Sequence, residues 1–147
     1  MTSVERPRQP DLDHLGLSVT DVDRSMAFYC DVLGADVVFP PHELSWGARG
    51  IVRLGSHFLD LNELRQGDGS RFNAARTGLD HLAFTAKSRE ELDNWANWLD
   101  TKRVQRTPLR DVRADPAQHP DAPLAGAMFQ FSDPDGIELE FLFFDVG

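Results

Sequence analysis

At 147 residues and 41% hydrophobic side chains, the chain has the size of one domain and enough apolar material to bury a core without cross-links. Its 24 acidic against 15 basic residues give a formal net charge of -9, which repels phosphate backbones and anionic lipid, so nucleic-acid and membrane partners are not expected. The single cysteine, Cys30, has no partner for an internal disulfide, which points to a reducing, cytoplasmic setting.

Residues 1–11, MTSVERPRQPD, mix charges with two prolines, lack the apolar core of a signal peptide, and read as a flexible N-terminal arm. LDHLGLSV at 12–19 alternates like a strand. Asp21 reads as the N-cap of the helix VDRSMAFYCDVLG, in which Val22, Met26, Tyr29 and Leu33 recur at helical spacing and Gly34 is the stop. Strand-like runs follow near 36–40, 47–54 and 57–63, and a polar linker covers 65–78. LDHLAFTA at 79–86 then repeats the opening motif. Ser88, with Glu91 three residues on, makes a capping box for REELDNWANWLD, whose apolar row is Leu92, Trp95, Ala96 and Leu99. Further runs lie near 104–109, 126–132 and 137–144, the last two joined by Asp133-Pro134-Asp135-Gly136, a proline-preset turn with a glycine free to take positive φ. Between them 110–123, RDVRADPAQHPDAP, has three prolines and no counterpart in the first half, and reads as a long surface loop or lid.

Both halves therefore read strand, helix, strand, strand, strand. The expected class is α+β, with two tandem βαβββ modules, 12–64 and 79–144, in a single domain over 12–144. Period-two alternation places Leu15, Leu17 and Val19 against the helix and His14, Gly16 and Ser18 opposite; in the repeat, Leu82 and Phe84 oppose His81, Ala83 and Thr85. Glu138 and Glu140 oppose the apolar row Ile137, Leu139, Phe141 and Phe143 of the last strand. Phe58, Asp60 and Asn62 likewise oppose Leu59 and Leu61. Asp60 follows His14 at nearly the interval by which Glu140 follows His81 once the extra segment is discounted, so it is a rough symmetry mate of Glu140. Two imidazoles and a carboxylate on shared faces suit one divalent ion (Fe, Mn, Ni, Co or Zn), with positions left for substrate. Taken singly, each of these residues has the ordinary reading of a hydrogen-bonded strand histidine or a solvated carboxylate; the duplication gives them weight.

The segments LDHLGLSVTDVDRSMAFYCDVLG, GLDHLAFT and FSDPDGIELEF make the chain resemble the vicinal oxygen chelate (VOC) superfamily over nearly all of Leu12 to Phe144. Glyoxalase I, fosfomycin-resistance transferases, methylmalonyl-CoA epimerase, extradiol dioxygenases and bleomycin-binding proteins belong to it. The resemblance implies a half-open barrel of the two modules around one site, and a metal held by His14, His81 and Glu140, with Glu138 a weaker candidate. Some members take a fourth ligand from the last strand of the first module, where this chain has Asp60, one methylene shorter than the usual Glu; it would bind directly or through water. Ser18 stands where bacterial glyoxalase I has an arginine, and Gly16 where the fosfomycin transferases favour threonine, which weakens those two activities.

The function this implies is metal-dependent Lewis-acid chemistry on a small oxygen-bearing substrate, isomerase or lyase in type, with Glu140 or Asp60 as the catalytic proton carriers. The rivals are a drug-binding resistance protein without catalysis and an Fe(II) ring-cleaving dioxygenase. Arg49, Arg53, Phe58 and Asn62 are candidates for substrate contact, the two arginines being equally readable as solvated edge charges. His42, His57 and His119 read as exposed, and Trp46, Trp95 and Trp98 as packing residues. A homodimer is expected, because two-module relatives pair and because IELEFLFF would otherwise leave an apolar edge to protect.

Overall fold

A computed structural model describes residues 6–113 and 125–145, and the chain divides into two compact units, Met1–Gln66 and Gly67–Gly147. The first contains β1 (His14–Val19), α1 (Val22–Leu33), β2 (Asp36–Leu44), β3 (Gly47–Leu54) and β4 (His57–Leu64). The second contains β5 (Leu82–Thr85), α2 (Arg89–Thr101), β6 (Arg110–Val112), β7 (Ala125–Ser132) and β8 (Glu138–Asp145). Two βαβββ modules are thus present. Their sheets have the same order, β1-β4-β3-β2 and β5-β8-β7-β6, with the first strand parallel to the last and the remaining pairs antiparallel.

Local chemistry sets both helices. The Asp21 side chain accepts from the Arg24 N–H to open α1, and Gly34 closes it at φ 71, returning its N–H to Cys30 and Tyr29 carbonyls. Val22, Met26, Tyr29 and Leu33 are all buried, at roughly 1.5–3 kcal/mol for each fully covered side chain of this size. In α2 the Ser88 hydroxyl accepts from the Glu91 N–H at 3.0 Å, and the Glu91 carboxylate reaches back to the N–H of Lys87, one residue before the usual capping-box position. Leu92, Ala96 and Leu99 are buried, while half-buried Trp95 stacks on Phe141 with centroids 4.6 Å apart.

The Asp133–Gly136 turn joins β7 to β8. Asp133 Oδ1 accepts from the N–H groups of Asp135 and Ile137, both at 2.9 Å, and Gly136 sits at φ 82. Phe72 donates its N–H to the Asp135 carbonyl at 2.9 Å, so the linker segment after Gln66 is tied to the second unit.

Several expectations need correction. The strand foreseen over 104–109 is displaced: Arg106 makes one isolated bridge to Phe131, and the regular ladder begins at Arg110. Pro108, which has no N–H to give a ladder, intervenes. The segment 110–123 therefore begins as strand β6, and its remainder from 114, His119 included, lies outside the described residues. The run 36–40 extends to Leu44 through Pro40 and Pro41, which register shifts accommodate on an edge strand. β8 is not an edge, because parallel pairing with β5 covers its second side; among the described residues the exposed apolar edge is β2, with Val37, Val38 and Phe39. Trp46 and Trp98 are each 41% exposed rather than packed away.

Candidate metal centre

Parallel pairing of first and last strands is what brings histidine and carboxylate together within each unit. In the first unit Gly16 is the register partner of Asp60, and in the second Ala83 is the partner of Glu140. His14 and His81 stand two residues before those glycine and alanine positions, hence on the same faces; His81 immediately precedes β5. Asp60 and Glu140 are therefore equivalent positions of the two modules.

The side chains follow that equivalence. His14 Nε2 is 3.8 Å from Asp60 Oδ2, and His81 Nε2 is 3.5 Å from Glu140 Oε1. Both carboxylates are nearly inaccessible, Asp60 at 6% exposure and Glu140 at 7%, although they sit on the faces opposite the helices. On the far side of each ring, His14 Nδ1 donates to Asp13 at 2.7 Å and His81 Nδ1 donates to Asp80 at 2.6 Å. These bonds raise both imidazole pKa values above the ordinary 6.5. The Asp60 charge adds to the effect at His14, while burial opposes it at His81 and Glu140 adds to it there.

Reading of the strands overlooked Asp13 and Asp80, the hydrogen-bond partners of the two imidazoles. The signal lay in the repeat itself, since Asp precedes His in both copies of LDHL. A carboxylate on Nδ1 fixes the tautomer and turns the Nε2 lone pair outward, the arrangement typical of metal-bound histidine. The donor set, imidazole nitrogen and carboxylate oxygen, thus fits a borderline divalent ion. Within neither unit, among the described residues, do three His, Cys, Asp or Glu side chains gather closely enough to hold an ion alone.

The remaining candidates separate. Arg49 on β3 forms an ion pair with Asp60 through Nη2, and its Nε is buried without a hydrogen-bond partner among the described residues. Arg53 instead pairs with Asp36 of the edge strand at 2.7 Å, both being exposed. The Asn62 amide donates to the Asp60 carbonyl at 3.2 Å and lies 3.7 Å from where a Gly16 Cβ would stand. Phe58 is half-buried and is the register partner of His14. His42 and His57 are exposed. Glu138 is also exposed, lining an open cleft of about 380 Å³ with Gln105, Arg106, Thr107 and Gln130, and Gln130 Nε2 is 3.5 Å from Glu140 Oε2. Among the described residues no helix is long and apolar enough to cross a membrane.

The family model of the Glyoxalase/Bleomycin resistance protein/Dioxygenase superfamily matches residues 11–141, and the chain belongs to that superfamily. It is similar to a protein named metallothiol transferase FosB from Staphylococcus haemolyticus, with 31% identity over 100 residues; the match covers 68% of this chain and 66% of the relative's length. A protein of the same name from Staphylococcus saprophyticus is 31% identical over 133 residues, covering 88% of this chain and 74% of the relative. Among solved structures, the glyoxylase/bleomycin resistance protein/dioxygenase domain from Frankia sp. EAN1pec superposes with a TM-score of 0.78 at 24% identity, covering 94% of this chain and all of that one, a likeness of fold.

Proposed function

We propose that this chain is a divalent-metal-dependent enzyme acting on a small substrate that offers two adjacent oxygens. The observation that carries the reading is the duplicated Asp–His–carboxylate arrangement: Asp13, His14 and Asp60 in one unit, Asp80, His81 and Glu140 in the other. His14 and His81 through Nε2, and Glu140 through Oε1, are the ligands this reading assigns. When bound, the ion supplies Lewis acidity to the substrate's oxygens. Asp13 and Asp80 hold the imidazoles in one tautomer, Glu140 is placed to take a proton from a neighbouring carbon or water, and Phe58 and Asn62 flank the first-unit pair where a substrate would be oriented.

Isomerase or lyase chemistry is the first reading of the reaction. The names of the curated relatives favour a second, transfer of a thiol to a small electrophile, in spite of the glycine at position 16. Protein purified without a histidine tag should hold about one divalent ion per chain, with affinity falling steeply in His14→Ala and His81→Ala. Activity screens with hemithioacetals, and with thiols plus epoxides, under air and under argon, then separate lyase, transferase and oxygenase. Metal content near zero after supplementation would remove the enzymatic reading in favour of metal-free ligand binding.

A further inference from the structure

Asp60 and Glu140 occupy equivalent register positions, yet the strand beside each gives it a different companion. On β3, Arg49 lies diagonally across from Asp60, whose direct partner is Ile51; on β7, Gln130 is directly opposite Glu140. Arg49 is a permanent cation, whereas Gln130 is neutral. The oxygens are used differently as well. Arg49 Nη2 takes Asp60 Oδ2, the same oxygen that faces His14 Nε2. Glu140 divides its contacts: Oε2 accepts from Gln130, while Oε1 faces His81 Nε2.

We propose that these two neighbours assign the roles of the carboxylates: Arg49 withdraws Asp60 from the ligand set by neutralising it and occupying its imidazole-facing oxygen, and Gln130 orients Glu140 so that Oε1 stays available. The proposal rests on the reading of His14, His81 and Glu140 as ligands. A cation drawn toward Asp60 must displace a guanidinium from a carboxylate that is almost fully buried, and it meets the positive charge of Arg49 in doing so. At Glu140 the amide competes with nothing, because it donates to the other oxygen and carries no charge. Arg49 and Gln130 are thus positioning residues, the first closing the carboxylate of its unit to a cation and the second leaving that of its unit open.

The test is the affinity of the full-length protein for Mn2+ by titration calorimetry, with water-proton relaxation to count waters on the bound ion. Arg49→Gln should bind Mn2+ about 10-fold more tightly and with fewer bound waters, because Asp60 is then free to ligate. The double variant Arg49→Gln/Asp60→Asn, which removes the pair without changing net charge, should return to within about 2-fold of wild type. Gln130→Arg, the reciprocal change, should weaken binding by about 10-fold and keeps the idea testable if Arg49→Gln does not fold. A loss of about 10-fold or more in the double variant, or no effect of Gln130→Arg, overturns the assignment. If wild type and His14→Ala both fail to bind Mn2+, the metal reading falls and this assignment with it. If wild type binds, His14→Ala does not, and the double variant loses affinity, only the role given to Arg49 is lost.

Discussion

His81 Nδ1 donates to Asp80 Oδ1 at 2.6 Å, and the opposite ring nitrogen faces Glu140 Oε1 at 3.5 Å, so one imidazole is clamped between a surface carboxylate and a buried one. Asp80→Asn keeps the shape but offers an amide that no longer selects the Nδ1–H tautomer. Metal affinity should fall by about 10-fold, and Asp13→Asn should act in the same direction at His14. Calorimetric titration of the two variants beside wild type checks this; equal affinities would reduce the repeated Asp-His dipeptide to a surface hydrogen bond.

Metal binding should also depend on pH with a definite sign. Hydrogen bonds donated to Asp13 and Asp80 hold His14 and His81 above the ordinary 6.5, so the imidazolium forms persist to higher pH than usual. A ligand must be deprotonated, so affinity should decline on acidification from a point above 6.5. In Asp80→Asn the onset should move to lower pH. Affinity measured from pH 5.5 to 8.5 gives the profile; one that stays flat through the histidine range would exclude both imidazoles as ligands.

The Ser25 hydroxyl is buried in α1 without a hydrogen-bond partner among the described residues. Leaving a buried hydroxyl unsatisfied costs about 1–3 kcal/mol, whereas alanine removes the group and keeps helix propensity. Ser25→Ala should therefore be neutral or stabilising by about 1 kcal/mol. Urea unfolding with an unchanged m-value would show it, and a loss of more than about 1 kcal/mol would mean that the hydroxyl is satisfied in solution.

Burial pushes the Cys30 thiol up, and the charge of Asp36 adds to the shift. The thiolate is the reactive form, so Cys30 should react with a disulfide reagent at pH 8 more slowly than a free cysteine, and faster as pH rises. Asp36→Asn should speed the reaction at fixed pH. Kinetics matching those of the unfolded chain would show the thiol to be open to solvent.

A homodimer remains the expected assembly, with exposed Val37, Val38 and Phe39 of edge strand β2 as the apolar surface most in need of cover. Light scattering at micromolar concentration should return twice the 16.5 kDa chain mass. Charging the edge with Val38→Lys should shift the population toward monomer.

Most of the module plan was legible in the chain because it rests on local chemistry. Alternation places His14 and His81 opposite the buried faces, Asp21 and Ser88 cap their helices by bonds three residues long, and Asp-Pro-Asp-Gly makes its own turn. Duplication of the LDHL motif even located Asp60 as the mate of Glu140, which strand register now expresses as Gly16 with Asp60 and Ala83 with Glu140. What spacing could not decide was anything set by a neighbour across a sheet. Whether β8 is an edge depends on its parallel pairing with β5, from the far end of the module. Likewise Arg49 and Arg53 look alike along β3, but strand pairing gives one a buried aspartate and the other an exposed one. A side chain's charge is written in the sequence, but the charge that meets it across a strand pair depends on register, a property of the assembled sheet.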